Sequence, residues 1–284
     1  MGADKAVLLL SCPDRAGIVA EVANFIVEVG GDIEAAEQTR LDDASFHQRV
    51  AFDLADPDVT LEQLSERFSE VASGLDASWS LHEADESSRV AIMLSRHAHC
   101  LLDLLARWRI GDLPGAPVVV ISNHSDHGDI AEAAGLDFHH LPVTAETKPA
   151  QEAAVTELIE RYEVDLTVMA RYMQILSDDF IARHRARVIN IHHSFLPAFP
   201  GAKPYHQALD RGVKIVGATA HYATADLDEG PIITQDVARI SHRDSVEDVV
   251  RLGRELENRV LAAGVRAHLQ HKVIVTGRRT IVFQ

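Results

Sequence analysis

The sequence predicts an α/β protein of two domains: a ferredoxin-like βαββαβ domain followed by a doubly wound domain with a mainly parallel sheet. Three observations predict this fold class. The chain has 284 residues, which is more than one domain usually holds. Apolar residues in the first eighty positions recur in the order strand, helix, strand, strand, helix, strand. After a polar stretch, strands and helices alternate one by one, which favours a parallel sheet with helices on both faces.

The elements of the first domain, residues 1–83, follow from residue spacing and turn chemistry. The run K-A-V-L-L-L-S predicts a strand at residues 5–11. Pro13, Asp14 and Gly17 in the next turn suit the start of a helix. That helix has a single apolar face, formed by Ile18, Val22, Phe25, Ile26 and Val29. Two strands, a second amphipathic helix and a closing strand are predicted at residues 32–41, 45–54, 61–73 and 77–82.

The polar stretch A-D-E-S-S at residues 84–88 predicts a linker, and residues 89–284 then form the second domain. Its strands are predicted at residues 89–94, 117–122, 138–141, 166–170, 188–191 and 213–221. Its helices are predicted at residues 99–108, 126–135, 149–162, 177–184 and 244–268. Because ligands bind outside the carboxyl ends of parallel strands, we expect the functional site at those ends.

Composition and charge exclude several classes of function. The chain carries 43 acidic and 27 basic residues, a formal net charge of −16, so we expect no nucleic-acid partner. Two cysteines, no signal-peptide pattern and no long apolar run predict a cytoplasmic protein without a membrane partner. None of the 16 histidines falls in a zinc-motif spacing, so no metal is expected.

One polar trio suits attack on a small carbonyl. Asn190 and His192 alternate along a predicted strand and share a face, and Asp228 lies in a turn after the next strand. An amide can donate to a developing oxyanion, a histidine can move a proton, and a carboxylate can orient or deprotonate water. The same residue types also serve as caps or as satisfied polar groups at strand ends, and this alternative stays open.

The motifs around this trio resemble the folate-dependent formyltransferase family. They are N-I-H-x-S-x-L-P, F-P-G and G-x-T-x-H-x-x-x-x-x-L-D-x-G-P-I-I, in that order. The resemblance implies a formyltransferase-like fold for the second domain and catalytic roles for Asn190, His192 and Asp228. The segment A-R-Y-M-Q-I-L-S resembles the pterin-contacting loop of that family. It implies substrate contacts at Met173, Gln174 and Leu176, and, from the second loop and the strand before it, at His221, Ala223 and Ala225.

The segment D-R-A-G-I-V-A-E-V-A-N-F-I in the first domain resembles an ACT domain. The resemblance implies a homo-dimer or homo-tetramer and an amino-acid effector near Asp14, Arg15 and Gly17. An alternative is that these residues only cap and pack a helix, and that the domain serves assembly alone.

The reaction is predicted from what the second domain lacks. Arg96, His97 and His99 occupy the first turn, where transferases acting on a ribonucleotide carry glycines, so a phosphorylated acceptor is disfavoured. The whole chain resembles the branch of the family that hydrolyses 10-formyltetrahydrofolate to formate and tetrahydrofolate, a step linked to one-carbon and purine metabolism. No cofactor beyond the folate substrate is implied. The alternatives are formyl transfer to a small amine, or a non-catalytic folate-binding sensor of amino acids.

Overall fold

The computed structural model describes residues 5–56, 58–84, 87–197 and 204–284. It confirms the predicted fold class, with an antiparallel N-terminal sheet and a mainly parallel second sheet. One compact unit contains Met1–Glu86 together with Gln270–Ile274 and Val282–Gln284, and the other contains Ser87–Leu269 and Val275–Ile281. The sequence carried no signal that two short C-terminal pieces group with the first unit. The F-P-G motif and part of the predicted linker lie outside the described residues.

The first unit has the βαββαβ order. Its elements are β1 (Lys5–Pro13), α1 (Ile18–Glu28), β2 (Gly31–Arg40), β3 (Ser45–Leu54), α2 (Leu61–Leu75) and β4 (Ser78–Glu83). The sheet order is β2-β3-β1-β4, and all its pairs are antiparallel. Thr60 and Gln63 form a reciprocal capping box that starts α2. The two helices cover one face of the sheet through Phe68, whose ring packs edge-on against Phe25 and Trp79.

The second unit alternates strands and helices as predicted. Its elements are β5 (Arg89–Leu94), α3 (His99–Arg109), β6 (Ala116–Ser122), α4 (Gly128–Ala133), β7 (Asp137–His140), α5 (Lys148–Arg161), β8 (Leu166–Met169), α6 (Asp178–Arg183), β9 (Val188–His192), α7 (Pro204–Asp210), β10 (Ile215–Tyr222), β11 (Ile232–Arg239) and α8 (Val246–Leu269). A short hairpin, β12 (Val273–Thr276) and β13 (Arg279–Val282), follows α8. The sequence missed β11 and this hairpin, because their side chains are largely polar or half-exposed and lack the apolar run of the central strands.

The strand order of the second sheet positions the site. The order is β11-β10-β9-β8-β5-β6-β7, so the chain reverses its direction of growth between β5 and β8. Strands β5 to β9 are parallel, whereas β10 pairs antiparallel with both β9 and β11. The register of β9 and β10 sets His221 opposite Asn190. A crevice is therefore expected where the carboxyl ends of β5, β8 and β9 meet.

Among the described residues, no helix combines the length and apolar character that crossing a membrane requires.

Candidate active site

A cleft with a volume of about 220 Å³ opens at the carboxyl ends of β8 and β9. The structure brings all three predicted catalytic residues, Asn190, His192 and Asp228, to its wall. The other lining residues are Met169, Arg171, Tyr172, Met173, Gln174, Ile175, Leu176, Ile181, Ile191, His193, His221, Ala223, Thr224 and Leu227. The wall is thus a cluster of amide, imidazole and carboxylate groups beside apolar side chains.

His192 and Asp228 form a pair. His192 Nδ1 lies 3.2 Å from Asp228 Oδ2, and the His192 side chain is only 5% exposed. His192 Nε2 is buried and has no hydrogen-bond partner among the described residues. Burial alone would raise the pKa of the Asp228 carboxyl, but the hydrogen bond and charge of His192 outweigh burial and hold that pKa below its ordinary value. Asp228 is therefore ionised at neutral pH, and it fixes the orientation of the imidazole.

Asn190 is oriented by His221. His221 Nδ1 lies 3.0 Å from the Tyr222 carbonyl oxygen, which can only accept, so Nδ1 carries the proton. His221 Nε2 then accepts from Asn190 Nδ2 at 3.1 Å. Burial lowers the pKa of His221, which keeps the ring neutral and preserves this tautomer. One N–H of the Asn190 amide is used in this contact, and the second remains available for a ligand.

The loop between β10 and β11 carries Asp228 to this centre by two local features. Asp228 has φ of 57°, in the left-handed region that aspartate adopts more readily than most residues. Gly230 lies so close to the end of β10 that an added Cβ would clash with the Tyr222 carbonyl oxygen. The sequence L-D-E-G-P therefore lets the loop fold back onto the strand that holds His221.

His193 lies beside His192 on the same wall, with their ring centroids 5.2 Å apart. Burial, reinforced by the nearby positive charge of Arg171, lowers the pKa of His193 to about 3. The ring is therefore neutral at neutral pH. The sequence analysis did not assign this residue a role in the site.

The cleft contains most of the predicted substrate-binding residues. Met173, Gln174, Leu176, His221 and Ala223 all line it. Ala225, also predicted, is exposed and is not part of the wall, although Thr224 and Leu227 on either side of it are. The Met173 amide N–H donates to Ser95 Oγ at 3.0 Å, so a pterin edge would have to use other backbone groups of this segment.

A second polar group lies in the same unit and was missed by the sequence analysis. Glu257 on α8 is 1% exposed, accepts from Tyr205 Oη at 2.7 Å and lies 2.8 Å from His99 Nε2. Arg171 Nε lies 3.4 Å from the same carboxylate. The buried cluster is the name used below for His99, Arg171, Tyr205 and Glu257. The signal that could have revealed it is the acidic residue within the apolar stripe of α8, one turn after Gly253 and next to Leu256.

Three residues near this cluster, His99, Cys100 and Glu257, have metal-ligating atoms within 4.8 Å of one another. Their chemistry fits a hydrogen-bonded ion-pair network better than a cation site. Both oxygens of Glu257 already have partners, and Arg171 supplies the positive charge. Burial raises the pKa of the Cys100 thiol well above its ordinary value, which opposes the thiolate that a metal requires.

The predicted effector residues of the first unit lie in the turn between β1 and α1. Gly17 has φ of 97° and precedes the first residue of α1. Asp14 is 3.2 Å from Arg40, and Arg15 forms two contacts with Glu21 at 2.8 and 2.9 Å. The helix cap is Gly17, which has no side-chain cap hydrogen bond, and the Asp14 carboxylate near this helix start is paired with Arg40. Effector binding here stays a prediction.

Two family models match the chain. The ACT domain model matches residues 6–67, and the formyl transferase model matches residues 88–265. The two matched ranges do not overlap.

Relatives of similar length share both parts. A formyltetrahydrofolate deformylase of Synechocystis sp. is 52% identical over 98% of both chains, and one of Bacillus subtilis is 46% identical over 99% of this chain and 94% of its own. The crystal structure of a formyltetrahydrofolate deformylase from Pseudomonas syringae has a TM-score of 0.96 at 43% identity, covering 100% of this chain and 96% of its own. A glycinamide ribonucleotide transformylase from Symbiobacterium toebii matches 69% of this chain and 94% of its own, with a TM-score of 0.66 at 35% identity.

Proposed function

The chain belongs to the formyltetrahydrofolate deformylase family, and we propose that it hydrolyses 10-formyltetrahydrofolate to formate and tetrahydrofolate. The observation that carries this proposal is the set of Asn190, His192 and Asp228 around one end of a cleft whose other walls are largely apolar. Such a cleft suits a flat heteroaromatic ring with a carbonyl at its polar end.

The proposed chemistry begins with water held by the ionised Asp228. Because the pKa of this carboxyl is held low, its main contribution is to orient the water and stabilise positive charge on His192. The water oxygen bonds to the formyl carbon, and the second N–H of the Asn190 amide donates to the developing oxyanion.

His192 then moves the proton. Its Nδ1–H is held by Asp228, and its Nε2 has no partner in the described part of the chain, so a substrate atom or water can take that place. The water proton passes to the folate nitrogen as the carbon–nitrogen bond breaks, which releases tetrahydrofolate. The formic acid loses its remaining acidic proton to solvent and leaves as formate.

The remaining features of the proposal concern setting and control. The proposed reaction uses no cofactor beyond the folate substrate, since water is the nucleophile, His192 carries the proton to the leaving nitrogen and solvent takes up the proton of formic acid. The ACT domain supports an amino-acid effector near Asp14, Arg15 and Gly17, and a homo-dimer or homo-tetramer. A cytoplasmic location fits the cytosolic chemistry of folates and the two free cysteines, Cys12 and Cys100.

The test is to incubate the protein with 10-formyltetrahydrofolate alone and to measure formate and tetrahydrofolate together. Equal amounts of the two products are expected, at a rate proportional to protein concentration. Folate binding without formate would contradict the proposal and favour a non-catalytic sensor. Tetrahydrofolate release that depends on an added amine would favour formyl transfer. Metal analysis of the active protein is the companion measurement.

A further inference from the structure

Arg171 combines three unfavourable features at one position of the cleft wall. Its φ of 67° lies in the left-handed region, where a long side chain is disfavoured and glycine is at ease. Its side chain is 11% exposed, so a full positive charge is largely removed from water. Its Nε and Nη1 are buried without a hydrogen-bond partner among the described residues. Strained residues and unsatisfied donors that persist in a fold usually have a functional reason.

Glu257 forms an ion pair with the Arg171 guanidinium. The Nε–Oε2 distance of 3.4 Å is that of an ion pair, and this Nε has no hydrogen-bond partner among the residues that the structure describes. Glu257 is in turn fixed by Tyr205 and His99. An added Cβ at Gly253 would clash with the Tyr205 ring, so glycine at this position of α8 gives the ring its place. The buried cluster is therefore built into the packing of α8, and Arg171 is its only member that reaches the cleft.

Two members of the buried cluster lie at the central crevice of the sheet. Arg171 follows β8, and His99 begins α3 one turn after β5, so both lie at the carboxyl ends of adjacent strands. This is where the strand order reverses and where doubly wound sheets open to ligands. The reacting groups of Asn190 and His192 lie at the end of β9, next to β8. A second substrate that approached the formyl carbon across this crevice would meet Arg171.

Resting on the proposed function, we propose that Arg171, held by Glu257, is a specificity-determining residue that blocks amine acceptors and leaves water as the nucleophile. An amine would form a carbon–nitrogen bond with the formyl carbon as the bond to folate breaks, whereas water forms a carbon–oxygen bond. The second unit shares its fold with a protein named for glycinamide ribonucleotide, so this sheet does not by itself dictate the acceptor. The side chains in the crevice make that choice.

The experiment uses Arg171→Gly in the full-length protein, with 10-formyltetrahydrofolate and glycinamide as the amine probe. Mass spectrometry measures N-formylglycinamide, and an enzymatic assay measures formate. Glycine removes the side chain and suits the backbone at φ of 67°. The ratio of N-formylglycinamide to formate is expected to rise at least tenfold over the parent. Arg171→Met, which keeps the bulk without the charge, is expected to stay within twofold of the parent.

Glu163→Gly is the matched control, because this exposed residue also has a positive φ, of 49°, and the substitution adds backbone freedom outside the cleft. Its ratio is expected to equal that of the parent. An unchanged ratio in Arg171→Gly would overturn the inference, as would an equal rise in Arg171→Met. If the glycine variant does not fold, Arg171→Ser makes the same test with the same expectation.

Two results obtained with the parent protein alone also test these proposals. Parent protein that forms N-formylglycinamide at a rate comparable to formate would overturn the inference, because Arg171 would then not block the amine. Parent protein that forms no formate from 10-formyltetrahydrofolate alone would instead contradict the proposed function.

Discussion

The second unit contains two polar clusters that differ in how completely their groups are paired. The reaction centre consists of Asn190, His192, His221 and Asp228, and two of its groups have no hydrogen-bond partner within the ranges that the structure describes: one N–H of the Asn190 amide and the Nε2 of His192. In the buried cluster, both oxygens of Glu257 are occupied, and the groups without a hydrogen-bond partner among the described residues, Nε and Nη1 of Arg171, belong to the one member that lines the cleft. The comparison teaches that polar groups without partners at a cleft mark a place for substrate. Buried polar groups whose hydrogen bonds are all made, such as the Glu257 carboxylate, instead support the fold. Arg171 belongs to the second cluster but reaches the cleft of the first.

The largest effect is expected from Asp228→Asn. The amide keeps the size of the side chain but removes the charge that orients His192 and the water. Turnover should fall by about 10² to 10⁴, the usual range for a general acid–base group. Formate release under saturating substrate measures it. Turnover within threefold of the parent would remove Asp228 from the reaction centre, and a matched melting temperature would show that the loss is catalytic.

Glu257→Gln should lower the stability of the protein and largely preserve its turnover, which is the opposite of the result expected for Asp228→Asn. It leaves the Arg171 charge buried without its partner, and breaking a buried ion pair typically costs about 3–5 kcal/mol of unfolding free energy. Urea unfolding measures this loss, and formate release per folded molecule should change far less than in Asp228→Asn. A variant as stable as the parent would show that Glu257 is not a scaffold.

Asn190→Ala tests the reaction centre at its oxyanion donor. Loss of one such donor typically lowers turnover by about 10² to 10³. The substitution also frees the Nε2 of His221, so His221→Gln serves as the control for that contact. If Asn190 only positions His221, the two variants will lose equal activity. The oxyanion role predicts a larger loss in turnover for Asn190→Ala.

The sequence was sufficient to predict that Asn190, His192 and Asp228 lie together, because they lie at the ends of strands that are themselves predictable. Alternation along β9 sets Asn190 and His192 on one face, and the turn L-D-E-G-P brings Asp228 back. The tautomer of His221 was beyond prediction, because it depends on the cross-strand register of β9 and β10.

The buried cluster was out of reach of the sequence for a different reason. Its members come from α3, the end of β8, α7 and α8, so they are separated by up to 158 positions and share no local motif. Only the packing of α8 over the sheet brings Glu257 to Arg171. The positive φ of Arg171 has no sequence signature either, since arginine rarely adopts it.

The smallest expected effect is a difference in pH dependence between parent and Asp228→Asn. The pKa of Asp228 in the folded chain is below its ordinary value, so folding favours the ionised form. This contribution to stability is complete above about pH 4, near the unfolded pKa, and is lost as the pH falls through the folded pKa. The difference in unfolding free energy between the two proteins, measured by urea unfolding from pH 7 to pH 3, should therefore shrink only at the acid end. Glu257 also has a lowered pKa but is unchanged in both proteins, so it cancels in the difference. A gap that stays constant down to pH 3 would show that folding does not lower the pKa of Asp228, and that its carboxylate gains nothing from the contact with His192.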